Sequence, residues 1–121
     1  MTSFKELDVF QSAVHMVKYI YDVTANFPEE ENSGLILQLR HAAIGIPSSI
    51  ADGASRCTLK DRQNSIDIAL GALNEIYAQF LVAKELQLLP GTEMKRFERG
   101  YDALRPKLIT YQRSILVCPN S

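Results

Sequence analysis

Apolar residues recur at spacings of three and four along most of this chain, which places them on one side of an α-helix. The first helical segment is predicted from about Phe4 to Asn26, and Ser3 with Glu6 forms the capping-box pattern S-x-x-E at its start. Phe27-Pro28 ends the segment, because the residue before a proline is disfavoured in the helical region. The apolar stripe of this helix consists of Leu7, Phe10, Val14, Val17, Tyr21 and Thr24.

A second helix is predicted from Pro28 to about Asp52. Its first turn holds three glutamates at positions 29–31, where negative charge complements the positive end of the helix dipole. Gly53 follows, and a glycine in the left-handed backbone conformation commonly ends a helix, so we expect the helix to end there. Pro47 lies inside the segment and predicts a kink or a broken turn there.

Two further helices complete the pattern. The third begins after Thr58, whose side chain can cap the helix, and continues to about Leu88. A proline-glycine turn follows, and Thr92 is the predicted cap of a fourth helix that ends near Ile115. Pro106 should bend this last helix.

The order and spacing of these segments predict an all-α fold. No segment shows the alternation of apolar and polar residues that is typical of a strand. Short links between long helices favour antiparallel neighbours, so we expect an antiparallel, up-down-up-down four-helix bundle. The chain has 121 residues, of which 46% are hydrophobic and 22% charged, which fits one folded domain over residues 1–121.

Net charge and targeting signals narrow the class of protein. Thirteen basic and fourteen acidic side chains give a net charge of −1. The net charge therefore gives no reason to expect binding to nucleic acid or to an anionic membrane. The acids Glu6 and Asp8 exclude a signal peptide, and the unbroken apolar runs are shorter than a membrane span requires. We therefore expect a cytoplasmic protein with no membrane partner.

The second and third helices carry more apolar residues than one stripe requires. A contiguous exposed apolar patch usually marks an interface, so this excess predicts self-association. The alternative is that the extra residues are small or scattered on the surface, which is normal. The residues concerned are Leu35, Ile36, Leu37, Leu39, Ala42, Ala43, Ile44, Ile46, Ile50 and Ala51 on the second helix, and Ile68, Leu70, Ala72, Ala78, Val82, Ala83 and Leu86 on the third.

Catalytic and metal-binding patterns are mostly missing from the sequence. His15 and His41 are not preceded by the glutamate of a Glu-x-x-His motif, and a loose pairing between them competes with two ordinary hydrogen-bonded histidines. Cys57 and Cys118 should fall at the same end of the bundle, but without a CxxC spacing free thiols are favoured. No phosphate loop or nucleophile elbow occurs. We expect no enzyme activity, no cofactor and no bound metal.

Basic residues cluster in two places. Arg56, Lys60 and Arg62 surround the link between the second and third helices, while Lys95, Arg96 and Arg99 begin the fourth. Each cluster is a candidate contact for nucleic-acid phosphates. A solvated helix face is one alternative, and complementary contact with the acidic first helix of a neighbouring subunit is another. Any of the first three residues could also compensate Asp52, an acid placed at the negative end of its helix.

Two motifs in the middle of the chain resemble a known family. The stretches QLRHAAIGIPSSIADG and IALGALNEI are similar to the Gln-Leu-Arg-Arg-Ala-Ala, Ser-Ile-Pro, Asn-Ile-Ala-Glu-Gly and Ile-Ala-x-Gly-Ser-x-x-Glu patterns of the 23S ribosomal RNA intervening-sequence proteins. FKELDVFQSA and the FP-x-E segment near residue 28 also look like this family. His41, Gly45, Ser49 and Asp52 depart from the pattern, and loss of an arginine at position 41 weakens an inherited nucleic-acid role.

The resemblance implies an antiparallel four-helix bundle that assembles into a homopentamer and has no enzyme activity. It leads us to expect a non-enzymatic interaction scaffold. A related branch, the accessory proteins of diversity-generating retroelements, binds nucleic acid and a reverse transcriptase, which makes an RNA- or DNA-binding accessory protein the alternative. The motif residues expected to be structural or interfacial are Gln38, Arg40, Pro47, Asp52, Gly53, Gly71 and Glu75.

Overall fold

The structure, a computed structural model, describes residues 3–115, and these residues form four long α-helices without any strand. The helices are α1 (Asp8–Thr24), α2 (Leu35–Ala54), α3 (Leu59–Glu85) and α4 (Gly91–Ser114). Each helix contacts its neighbours in the order α1–α2–α3–α4–α1, with the most extensive contact between α2 and α3 and the sparsest between α1 and α4. The predicted all-α class and four-helix bundle are confirmed.

Hydrogen bonds between helices establish their relative directions. Along each bonded pair, residue numbers rise on one helix as they fall on the other, so the neighbours are antiparallel. The helices therefore run up-down-up-down, as predicted. The bonded pairs are Asp52–Ser65 and Gln38–Gln79 between α2 and α3, Asp67–Gln112, Asn74–Tyr101 and Tyr77–Glu98 between α3 and α4, and Ser12–Lys107 and Tyr19–Glu93 between α1 and α4.

One apolar core runs along the bundle axis. Its centre is aromatic, with the rings of Phe80 and Phe97 only 4.4 Å apart between centroids. Burying a large apolar side chain contributes about 1.5–3 kcal/mol, so this core is the main source of stability. The largest fully buried apolar side chains are Ile20, Leu39, Ile46, Ile50, Ile66, Leu73, Ile76, Phe80, Phe97 and Leu108.

The first helix begins later than its sequence signal predicts. Phe4–Glu6 form a separate 3-10 turn, and the Ser3 hydroxyl accepts a 3.4 Å hydrogen bond from the Lys5 backbone N–H. The predicted capping box is therefore wrong, because Glu6 belongs to the 3-10 turn and α1 starts only at Asp8. Similarly, the glutamates at 29–31 form their own 3-10 turn, and α2 starts after Gly34.

Gly53 does not end α2 in a left-handed conformation, so that prediction is wrong. It lies within the helix, and a Cβ atom placed on it would meet the Ser65 Cβ atom of α3 at 2.8 Å. The glycine is needed for close helix packing rather than for its backbone freedom. The left-handed residue of the described chain is Gln87, with φ 62°, two residues after the end of α3.

The two helix-internal prolines do not break their helices. α2 continues through Pro47, so the broken turn considered there is absent, and α4 continues through Pro106. The predicted Thr58 cap is confirmed by a 3.1 Å hydrogen bond from the Asp61 backbone N–H. The predicted Thr92 cap is wrong, because extended Pro90 precedes α4 and its carbonyl accepts the first helical N–H groups.

One described helix, α3, is long and apolar enough to cross a membrane by length and composition alone. Its most apolar window has a mean hydropathy of 1.3, and 33% of that window is buried inside the bundle. A core helix of a soluble bundle meets the same criteria. Of the exposed large apolar residues of α3, Ile68, Val82 and Leu86 belong to the surface described next, whereas Leu59 and Leu81 do not.

Candidate assembly face and basic clusters

Arg40, an arginine of the family motif on α2, holds α1 and α2 together. Arg40 Nε donates a 2.9 Å hydrogen bond to Thr24 Oγ1, and its Nη2 donates to the Tyr21 carbonyl. The guanidinium carbon also lies 4.4 Å from the centroid of the Tyr21 ring. A cation here complements the negative C-terminal end of α1. Arg40 therefore joins α1 to α2 inside the bundle, and the structural or interfacial role that the resemblance implies for it stays a prediction.

We predict that Arg40→Ala lowers the free energy of unfolding by about 1–2 kcal/mol, because it removes hydrogen bonds to a buried hydroxyl and to a helix-end carbonyl. The measurement is urea unfolding followed by circular dichroism. Lys18→Ala is the matched control, since Lys18 pairs only with Asp22 on the exposed surface of α1 and should change stability by less than about 0.5 kcal/mol. Equal losses in the two variants would contradict the structural role of Arg40.

Asp52, an acid of the family motif, has a cationic partner, as the sequence predicts. Its carboxylate accepts hydrogen bonds of 3.0–3.3 Å from the Arg56 guanidinium and one of 3.3 Å from the Ser65 hydroxyl. Lys60 and Arg62 make no ion pair with it. The Arg56 pair is half-exposed, so it stabilises the protein only slightly.

We call the outward sides of α2 and α3 together the outer α2–α3 face, and several exposed apolar side chains belong to it. Its most exposed apolar members are Ile68 at 63%, Leu37 and Leu86 at 58%, Val82 at 51% and Ile44 at 44%. The remaining members are His41 and Gly45 on α2 and Gly71, Glu75 and Ala78 on α3. Leu37, Gln38, His41 and Glu75 together line a shallow pocket on this face.

Two glycines of this face are not required by close packing against any other described residue. A Cβ atom added to Gly45 or to Gly71 would meet no atom within 4 Å. A glycine inside a helix costs about 0.5–1 kcal/mol relative to alanine, and neither position adopts a left-handed backbone. Gly53, by contrast, is required by its contact with α3. The two open glycines would allow another surface to approach the helix backbones closely.

The prediction of an excess of exposed apolar residues on the second and third helices is only partly correct. Most of the residues proposed for it on α2 turn inward, and only Leu37 and Ile44 are strongly exposed there. On α3, Ile68, Val82 and Leu86 face outward as predicted, whereas Ala83 is buried. The residues of α2 that are buried or half-buried are Leu35, Ile36, Leu39, Ala42, Ala43, Ile46, Ile50 and Ala51.

The remaining motif residues lie at or beside this face. The Gln38 side-chain oxygen accepts a 3.3 Å hydrogen bond from the Gln79 amide nitrogen across the α2–α3 groove. The Gln79 side-chain oxygen is buried without a hydrogen-bond partner among the described residues. Glu75 is exposed beside Leu37, and Pro47 is half-buried.

The structure does not bring the six candidate nucleic-acid residues together. Arg56, Lys60 and Arg62 lie at the end of the bundle where α2 meets α3. Lys95, Arg96 and Arg99 lie at the other end, where Glu98 reaches Tyr77 of α3. A rise of 1.5 Å per residue separates Arg62 from Tyr77 by about 22 Å along α3. The basic residues thus form two separate triads rather than one patch.

Within the triads, several cations are already engaged. Arg56 pairs with Asp52, and the Arg96 guanidinium carbon lies 5.5 Å from the centroid of the Tyr19 ring. The Arg62 Nε atom is buried without a hydrogen-bond partner in the described part of the chain. Lys60, Lys95 and Arg99 are exposed. Each end therefore offers few cations to a phosphate backbone.

The histidines and cysteines form no shared site in residues 3–115. His15 lines a groove between α1 and α4, whereas His41 lies on the outer α2–α3 face, so the loose pairing considered from sequence is wrong. No group of three His, Cys, Asp or Glu side chains that could hold a metal occurs within these residues. Cys57 is exposed, and Cys118, the other predicted member of a cysteine pair, lies outside the described residues.

Fold and surface together define a small antiparallel four-helix bundle with one unusually apolar outer face. The family model described as 23S rRNA-intervening sequence protein matches residues 5–110 of this chain. The match covers most of the sequence, including all three of the loops between helices, so the chain belongs to this family. The search of curated proteins found no match.

Proposed function

We propose that this chain is a non-catalytic scaffold whose copies assemble through the outer α2–α3 face. The main support for this proposal is that five large apolar side chains on this face are 44–63% exposed. Exposed apolar residues grouped on neighbouring helices are typical of an interface rather than of a solvated surface. The open glycines at positions 45 and 71 support the same proposal, because they leave room for a second backbone.

The resemblance to the family supports a pentamer as the assembled form. A closed ring of five copies needs a heterologous contact, in which one surface of each copy meets a different surface of the next. The outer α2–α3 face supplies one of these two surfaces. Its apolar character suits a permanent contact. Burial of each large side chain stabilises the contact by about 1.5–3 kcal/mol, which offsets part of the entropy lost when copies associate.

Nucleic-acid binding is the weaker proposal for this chain. Two basic triads about 22 Å apart along α3 give each copy no single continuous positive surface. The net charge of −1 adds no long-range attraction for a polyanion. A scaffold role requires neither property, which is why the structure supports it better.

Light scattering coupled to gel filtration tests the proposal directly. The expected particle has about five times the 13.6 kDa mass of one chain, and its mass persists at high salt because apolar contact is not screened. A particle with the mass of one chain overturns the proposal. The absorbance ratio of the same peak measures copurifying nucleic acid, and a high ratio that falls with salt would favour the binding alternative.

A further inference from the structure

A groove of about 280 Å³ lies between α1 and α4, on the opposite side of the bundle from the outer α2–α3 face. It forms where the two helices have their sparsest contact. Gly100 contributes to this opening, because it presents no side chain toward Met16, whose terminal methyl would lie 3.3 Å from a Cβ atom there. The lining residues are Ser12, His15, Met16, Tyr19, Arg96, Gly100, Ala103, Leu104 and Lys107.

The charged side chains that line this groove are all positive. Its lining includes two cations, Arg96 and Lys107, and no carboxylate. The Lys107 ammonium is already held by the Ser12 hydroxyl at 2.9 Å and by the Asp8 carboxylate at 3.0 Å. Arg96 makes no ion pair with a carboxylate of the described residues, so its hydrogen-bond donors remain available. The groove therefore has one cation ready for an anion.

Tyr19 holds Arg96 at the wall of the groove. The Tyr19 hydroxyl donates a 2.7 Å hydrogen bond to the Glu93 carboxylate, and the Arg96 guanidinium lies against the Tyr19 ring. Burial raises the pKa of the Tyr19 hydroxyl, and the Glu93 hydrogen bond raises it further, so this donor stays protonated. Glu93 is thereby occupied by Tyr19 and lies outside the groove lining.

The remaining wall of the groove is apolar. Met16 and Leu104 are buried at its floor, and Ala103 lies at its exposed edge. An apolar floor with a few placed polar groups is the usual composition of a small-molecule site. Arginine binds carboxylates and phosphates through two parallel hydrogen bonds, which gives such a site its orientation.

We propose that the α1–α4 groove binds a small amphipathic anion, with a carboxylate on Arg96 and an aliphatic body against Met16, Ala103 and Leu104. His15 lies at the same rim and offers a further donor to the anionic group. The groove lies on the side of the bundle opposite the outer α2–α3 face, so octanoate does not compete for the apolar side chains of that face. A fatty-acid-like carboxylate matches both the single free cation of the lining and the apolar floor.

The test uses octanoate with the full-length protein carrying ¹³C-labelled methionine methyl groups. Octanoate should shift the Met16 signal and leave that of buried Met94 unchanged, with a dissociation constant in the millimolar range or tighter. Octanamide, which has the same body without the charge, should bind about tenfold more weakly, and inorganic phosphate should not shift Met16.

Two matched arginine variants locate the anion. Arg96→Gln should weaken octanoate binding about tenfold or more, whereas Arg99→Gln, which removes the same charge from an exposed position of α4 outside the groove, should change it less than about twofold. Ala103→Leu, which fills the exposed edge, should abolish the Met16 shift. Circular dichroism confirms that each variant is folded.

Several outcomes overturn the inference. They are the absence of any Met16 shift with octanoate, equal effects of the two arginine variants, and equal affinity for octanoate and octanamide. Light scattering on the same samples reports the assembly separately, so a failed groove and a failed assembly are distinguishable.

Discussion

The double variant Ile44→Lys/Ile68→Lys is expected to convert the assembled protein into single folded chains. Both side chains lie on the outer α2–α3 face, 44% and 63% exposed, so a lysine at either position can reach solvent in the single chain. Two ammonium groups at each contact cannot be buried without a compensating partner, so the interface cannot close. The measurement is the particle mass by light scattering, which should fall about fivefold if the assembly is a pentamer.

Val14→Lys provides a control for this variant. Val14 is an exposed apolar residue of α1 with 43% exposure, close to that of Ile44, but it lies outside the outer α2–α3 face. An unchanged mass in the control chain shows that one added lysine does not by itself break the assembly, whereas a reduced mass would place Val14 on the second surface of the ring contact. Unchanged mass in the double variant, with helical circular dichroism retained, would show that copies do not associate through this face.

Gly53→Ala is expected to destabilise the fold by about 2 kcal/mol or more, although alanine is the better helix former. The new Cβ atom would lie 2.8 Å from the Ser65 Cβ atom, so α2 and α3 must separate where they otherwise pack most closely. The Ser65 hydroxyl, which bonds to Asp52, would also shift. Urea unfolding measures the loss, and the Gly53→Ala/Ser65→Gly chain should recover part of it.

Gly71→Ala is the matched control for this glycine. Its Cβ atom would meet nothing within 4 Å inside the chain. In the single-chain Ile44→Lys/Ile68→Lys background, Gly71→Ala should raise the free energy of unfolding by roughly 0.5–1 kcal/mol, the usual gain of alanine over glycine in a helix. If Gly53→Ala stabilised the chain by a similar amount, the close approach of α2 to α3 would be refuted.

The number and order of the helices could be predicted from the sequence because apolar residues recur at helical spacing between clear breaks, and their directions could be predicted because the links are short. Helix ends were predicted less well. Glu6 and Thr92 carry good capping signals, yet neither caps the helix concerned, since a 3-10 turn and Pro90 determine where those helices begin. Capping signals are local, while the starting residue also depends on how the preceding loop crosses the end of the bundle.

The surface features show why sequence alone overestimated the assembly face. The α2 segment is apolar on many sides, but most of those residues face the core, because α2 is covered by both α1 and α3. Gly53 was interpreted as a backbone signal, whereas its role depends on Ser65, twelve residues further along the chain. The α1–α4 groove was not predicted, because Arg96 and His15 belong to opposite ends of the sequence and meet only in the folded bundle.

The simple helix order has a consequence for the timing of folding. Consecutive helices are neighbours in space, so most contacts join residues that are close along the chain. Among the described helices, α1 and α4 are the pair in contact that is far apart in sequence. Such local topologies fold within microseconds to milliseconds. Encounters between molecules at cellular dilution are slower, so each polypeptide completes its hairpins before it meets another. In the proposed assembly, copies would therefore meet as folded bundles rather than as unfolded chains.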